Sequence, residues 1–211
     1  REYKGTRYSL KLLPIGGSCA MLGTANTMCC LAEVMGISLP GSATIPAVYS
    51  RRQGIAFESG KAVMNLLKKD ICIKDIITKD AILNAIKVNS AIGGSTNAVL
   101  HLLAIAYEAD VDLDIFEFGK VSMSVPHMVP MIPAGQYTLL DFYEAGGIPV
   151  MMKELATILD LNGITCTGCT SKENIEKFQN KNPDVIRSFK NPVHSRGGIA
   201  VLKGNVAPDG A

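Results

Sequence analysis

Gly16-Gly17-Ser18-Cys19-Ala20-Met21-Leu22-Gly23-Thr24-Ala25-Asn26-Thr27-Met28 sets the reading of the whole chain. Beyond Thr24 the apolar residues Ala25, Met28, Cys29, Ala32 and Met35 recur at helical spacing, with Thr24 as the N-cap and Gly36 as the stop. Cys19 therefore lies in a loop just ahead of a helix. Unpaired amides and the positive end of the helix dipole collect at such a place, the surroundings in which a cysteine serves as a metal ligand or a nucleophile. The same residues also describe a small buried cysteine in a tight turn, and one cysteine makes no site.

Outward from this stretch, Pro40-Gly41-Ser42 breaks the chain, and Thr44 with Pro46 opens a second helix that is expected to be long, with Lys68 and Lys69 on its wet side. Val48, Ile55, Ala62 and Leu66 define its buried side, with Arg51, Arg52 and Lys61 on the wet side. A third helix is predicted over Thr78 to Ala91, carrying Ile82, Ala85, Ile86 and Asn89 on consecutive turns and stopping at Gly93-Gly94. Ser95-Thr96-Asn97 starts a fourth, in which Ala98, Val99, Leu102, Leu103, Ile105 and Ala106 leave almost no polar face. A helix apolar all round is expected to be buried. Its first turn then presents amides and the small polar side chains of Ser95, Thr96 and Asn97 inside the protein, which suits a carboxylate or phosphate. Plain capping of a buried helix describes the same residues. His101, one turn on, reads as a core histidine bonded to a neighbour, whereas His127 and His194 read as loop residues.

Met128 to Ile132 and Ile164 to Thr167 have the character of short buried strands, the first closed by Pro133-Ala134-Gly135. Helices are expected at about Thr138 to Glu144, Pro149 to Leu159 and Ser171 to Phe178. Helices alternating with short apolar strands give a helix-rich, layered α/β domain over residues 1–190. Asn191-Pro192 and Gly197-Gly198 then punctuate a boundary, and Ile199 to Leu202 with the turn Asn205 to Gly210 reads as the first strand of a second, β domain over 191–211. A single strand has no partners, so this tail is expected to be poorly anchored.

Composition narrows the function classes. With 47% hydrophobic and 19% charged residues among 211, the chain has globular composition, and a net charge of +2 with interspersed signs gives no field for nucleic acid or anionic membrane. The apolar run Ala98 to Ala106 is too short to cross a bilayer. Six cysteines without a secreted spacing point to a reducing cytoplasm. Cys166 and Cys169 make a C-x-x-C with no second pair or nearby histidine for zinc, and read as ordinary thiols. The absence of an initial methionine points to an excised piece of a longer protein.

Gly23-Thr24-Ala25-Asn26-Thr27-Met28, Ser38-Leu39-Pro40-Gly41-Ser42-Ala43, Gly93-Gly94-Ser95-Thr96-Asn97-Ala98-Val99-Leu100-His101-Leu102, Pro133-Ala134-Gly135, Tyr143-Glu144-Ala145-Gly146-Gly147-Ile148-Pro149 and Gly197-Gly198-Ile199-Ala200-Val201-Leu202-Lys203-Gly204-Asn205 resemble, in that order, the iron–sulfur dihydroxy-acid and sugar-acid dehydratases. Residues Arg1 to Leu13 carry no motif of that kind. The resemblance implies a hydro-lyase that turns a 2,3-dihydroxy acid into a 2-keto acid, with a [2Fe-2S] or [4Fe-4S] cluster and Mg²⁺ in the full-length enzyme, an α/β domain followed by a β-barrel, a small-molecule substrate and a homo-oligomer. It implies that Cys19 is one of three cluster ligands. The other ligands, the Mg²⁺ residues and the serine base belong to motifs outside these residues, so the chain alone is expected to be inactive and to hold neither cofactor. Branched-chain dihydroxy acids are the favoured substrates by the Gly197 to Gly210 stretch, with sugar acids such as gluconate, arabinonate or phosphogluconate as the alternative. A non-catalytic association module is the alternative of another class.

Overall fold

A computed structural model describes residues 18–210, together with the backbone of two short strands, β1 (Glu2–Tyr3) and β2 (Thr6–Arg7), which pair antiparallel. Gly16 and Gly17 of the predicted cysteine turn lie outside the described residues. The fold is built on α1 (Thr24–Val34) and α4 (Lys79–Ile92), which cross in the core. Thr78 caps α4 by accepting the Ala81 amide, and Gly93 ends it in the left-handed conformation at φ 64°. Ile82, Ala85, Ile86, Val88, Ala91 and Ile92 bury α4 against α1, α5 (Asn97–Glu108) and α6 (Ile115–Met123). Asp114 starts α6 by accepting the Phe116 and Glu117 amides. α7 (Leu139–Ala145) opens with a Thr138–Asp141 capping box, and the almost wholly buried α8 (Gly147–Glu154) lies against it and α1. α9 (Ser171–Ile175), α2 (Arg51–Lys69) and the single turn α3 (Ile73–Ile76) complete the set.

The layered α/β expectation is corrected: among residues 18–210 the structure is helical, with only isolated bridges between extended residues. Met128–Ile132 is buried as predicted, yet it meets no continuous neighbour, bridging only through His127 to His194 and Met131 to Tyr137. Ile164–Thr167 is a tight hairpin end bridged once to Thr170. Ile199–Leu202, expected as the first strand of a barrel, forms no strand. The Ile199 carbonyl accepts from the Ser122 hydroxyl at 2.7 Å, so a side chain occupies the group a neighbouring strand would need.

That contact also corrects the expected loose tail. Ile199 is buried in the main core, the Gly198 amide donates to Ser90 O at 2.9 Å, and Lys203 sits 4.1 Å over the Phe116 ring. A Cβ on Gly198 would lie 2.7 Å from Gly93 Cα, so the tail crosses the end of α4 where only glycine fits. Beyond Val201 the apolar residues Leu202 and Val206 are exposed.

Two helical expectations also fail. α2 begins at Arg51 rather than near Pro46 and has no buried residue; Val48 is 89% exposed. α5 is not enclosed: Ala98, Leu102 and Ala106 form its buried stripe, while Leu100 and Tyr107 face outward. His101 lies on that open side, so it is no core histidine. Helical periodicity says how many apolar residues a helix carries, and the described neighbours cover only one face of α5.

Glu33, on the buried side of α1, is held by the loop that follows. The Gly41 and Ala43 amides donate to its two carboxylate oxygens at 2.7 and 2.8 Å. Burial nonetheless outweighs these bonds and pushes its pKa up from 4.5 to about 7. Between those values the folded chain keeps a proton that the unfolded chain has released, so this contribution to stability is full below pH 4.5 and is lost as pH rises through 7. The loss amounts to about 3 kcal/mol. Urea midpoints at pH 5 and pH 8 should therefore differ more in the native protein than in Glu33→Gln, and equal differences in both would contradict the assignment. Ile199→Ala should cost about 2–5 kcal/mol, as for other buried aliphatic truncations, whereas a frayed tail would give no measurable loss in the same denaturation experiment.

Candidate cluster and substrate site at the start of the first helix

The segment from Ser18 to Leu22 is fastened by main-chain bonds from three directions. Ser18 N donates to Ile45 O at 3.2 Å and Ala47 N to Ser18 O at 3.3 Å, the Ser18 hydroxyl reaches Thr44 O, Leu139 N donates to Ala20 O, and Leu22 N donates to Ile132 O. Cys19 sits within this loop as an exposed free thiol. Buried Asn26, in the first turn of α1, gives its side-chain amide to Cys19 Sγ at 3.0 Å and to Met21 O at 2.6 Å. Sulfur ligands of iron–sulfur clusters are tuned by such N–H donors, so the donor chemistry at Cys19 fits one cluster ligand.

The predicted substrate residues gather at the same end of α1. Thr24 Oγ1 shares a hydrogen bond with Ser95 Oγ at 2.9 Å and accepts from Asn97 Nδ2 at 2.9 Å, while Ser95 N donates to Thr27 Oγ1. Thr96 is exposed beside them. The amides offered to an anion are partly taken locally: Asn97 N donates to Ser95 Oγ, Ala98 N to Ser95 O and Val99 N to Thr96 O. What the turn presents outward is therefore chiefly hydroxyl and carboxamide groups. Beneath it lies Asn89, fully buried with neither side-chain polar atom bonded, its oxygen against the α-carbon of Gly94, where any side chain would collide.

Cys29 and Cys169 are also exposed free thiols, whereas Cys30 and Cys166 differ in kind. Burial pushes the Cys30 thiol far up, with Glu33 and Cys29 adding to it, and pushes Cys166 up to about 12. Both are held as thiols. His127 and His194, unassigned by sequence, pair across an antiparallel bridge with rings stacked at 5.6 Å, and burial lowers the pKa of His127. Among the described residues no three of His, Cys, Asp and Glu gather as a metal site. Asn26 and Glu33 are the residues that sequence reasoning missed. Asn26 is marked in the sequence only as a member of the Gly23–Met28 motif, and Glu33 by one signal, a carboxylate inside the apolar run Leu31 to Met35.

Taken together, the start of α1 carries an exposed thiol steadied by an amide, beside a cluster of hydroxyl and carboxamide groups. Residues 2–174 match the dihydroxy-acid/6-phosphogluconate dehydratase N-terminal family, and the chain belongs to it. The match includes the first residues, in which no motif had been recognised. The chain is 48% identical over 200 residues to dihydroxy-acid dehydratase of Clostridium novyi (strain NT), covering 94% of this chain and 36% of that protein. It is 50% identical over 202 residues to dihydroxy-acid dehydratase of Acidothermus cellulolyticus, with 94% and 36% covered, and 48% identical over 204 residues to that of Mycobacterium leprae, with 95% and 36% covered. The chain thus spans about 36% of the length of these relatives.

Asn26→Leu removes the side-chain donor to the Cys19 sulfur and one of the two N–H donors to the Met21 carbonyl, which keeps the Gly23 amide. The expected cost is about 1–3 kcal/mol, read from chemical denaturation, with faster exchange of the amides of residues 19–22. An unchanged midpoint and unchanged exchange would show that Asn26 does not hold the loop.

Proposed function

We propose that the full-length protein is a hydro-lyase that removes water from a 2,3-dihydroxy acid to give a 2-keto acid, in branched-chain amino-acid synthesis. The observation that carries this reading is identity of 48–50% across 94% of the chain with proteins named dihydroxy-acid dehydratase. The reaction takes the C2 proton to a base and releases the C3 hydroxyl as water, and the resulting enol becomes the ketone. Hydroxide leaves poorly and the C2 proton is weakly acidic, so a Lewis acid and a placed base are required. An iron–sulfur cluster with one iron incompletely held by protein, with Mg²⁺ at the acid end, supplies the Lewis acidity when bound.

Within these residues Cys19 contributes one thiolate to the cluster, with Asn26 holding its sulfur. Ser95, Thr96 and Asn97, with Thr24, bind the polar end of the substrate. The remaining cluster ligands, the Mg²⁺ ligands and the base lie outside these residues, so the isolated chain is inactive and holds neither cofactor. Residues 1–190 belong to the cluster-binding domain, and 191–211 lead into the next. The enzyme works in the cytoplasm as a homodimer or larger homo-oligomer. No described helix is long and apolar enough to cross a membrane.

In the full-length enzyme Cys19→Ser should abolish the cluster's visible absorption, and retained colour and activity would remove Cys19 from the ligand set. Turnover of 2,3-dihydroxyisovalerate should exceed that of gluconate or arabinonate; a preference for the sugar acids would transfer the protein to the sugar-acid branch of the family.

A further inference from the structure

Glu33 lies two turns along α1 from Asn26 and takes no part in the site just described, yet hydrogen bonds connect it to Cys19 through a buried segment. Its carboxylate receives the Gly41 and Ala43 amides at 2.7 and 2.8 Å. From there the chain has little freedom: Ser42, Ala43, Thr44 and Ile45 are all buried, and Arg52 Nη1 donates to Ser42 O at 3.0 Å. The next residues then pair with the residue before the cysteine. Ser18 Oγ donates to Thr44 O at 2.9 Å, Ser18 N to Ile45 O at 3.2 Å, and Ala47 N to Ser18 O at 3.3 Å. Cys19 is thus held from its helix side by Asn26 and from its N-terminal side by a strip of chain that Glu33 clamps.

We propose that Glu33 is a positioning residue for Cys19, fixing the sulfur's place by clamping the Gly41–Ala47 segment against which Ser18 is paired. The two-oxygen reception of two amides of one loop is what this task requires, because a neutral amide in the same place has one acceptor and would set its N–H₂ against the second donor. A serine or threonine cannot span both amides. The segment carries the constraint because its buried residues cannot shift without disturbing the core, so a change at Gly41–Ala43 is passed on to Thr44–Ala47.

The proposal rests on Cys19 as a cluster ligand, and its test separates the two. In the full-length protein Glu33→Gln should raise hydrogen exchange at the Ser18 and Ala47 amides at least tenfold, leaving the Ala85 and Ile86 amides of α4 unchanged. Where Glu33→Gln does not fold, Glu33→Asp, which keeps the carboxyl group but is too short to reach both amides, should do the same. In the holoenzyme either variant should lose the cluster's visible absorption at least fivefold faster under a chelator, at a temperature well below unfolding. Exchange at Ser18 and Ala47 that rises no more than at Ala85 and Ile86, or an unchanged rate of cluster loss, would overturn the proposal. A parallel Cys19→Ser protein that keeps its cluster would instead overturn the ligand reading, and the positioning role with it.

Discussion

A helix buried on nearly every side has no water to satisfy its polar groups, and α4 is in that position. Its answer is to recruit the rest of the chain. Asn84 exchanges hydrogen bonds with the backbone of Asp160, Lys87 reaches Ile158 O, and Ser90 shares a 2.5 Å bond with Ser122 of α6. Ala91 O receives the Met128 amide and Ser90 O the Gly198 amide. Each recruited partner is the reason a separate stretch of chain lies where it does: the loop after α8, α6, the buried run 128–132 and the C-terminal tail. An unmet polar group in such a place costs about 1–3 kcal/mol, so these contacts are requirements of burying the helix. Asn89 alone is left without a partner, directly under the glycine that precedes Ser95.

The site inherits its geometry from that arrangement. α1 lies against α4, α5 leaves α4 through the Gly93–Gly94 turn, and the first turns of α1 and α5 therefore come together. Thr24 is the meeting point, since one hydroxyl serves both Ser95 and Asn97. Cys19 comes to the same end of α1 through Asn26. Thiol and hydroxyl surface are thus set by how two helices start, and no long loop is needed to bring them together.

Much of this was legible in the sequence, and the failures share a cause. α1, α4 and α7 lie close to their expected bounds, the last two because caps and glycine stops are local chemistry, as Thr78, Gly93 and Thr138 show; Gly23 rather than Thr24 precedes α1, and α9 starts at Ser171 as expected but ends at Ile175 rather than Phe178. Cys19, Ser95 and Asn97 belong to motifs at helix starts, and the structure brings them to one end of α1. The stretch between Tyr107 and Val125 yields no element by pattern, although Asp114 caps α6 there; its apolar residues fall among exposed ones and its burial comes from α4 and the tail. The strand expectations failed because an extended apolar run becomes a strand only beside another, and neither Met128–Ile132 nor Ile199–Leu202 has a continuous neighbour among the described residues. His101 and α5 failed for a related reason: periodicity counts apolar residues without saying which of them are covered. Glu33 was missed because a single acid in an apolar run has no local meaning until the loop that folds over it is known.

The loop around Cys19 is held almost wholly by its backbone, through Ser18 N and O, Ala20 O, Met21 O and Leu22 N. The side chains of Ala20 and Met21 meanwhile are exposed, Met21 to 45%. A peptide loop fixed by its own amides and carbonyls depends little on side chains that none of its hydrogen bonds use. The two residues after the cysteine are therefore where this region can drift in evolution, or carry a reporter group in the laboratory, without moving the sulfur, while Ser18 and Asn26 on either side have no such latitude.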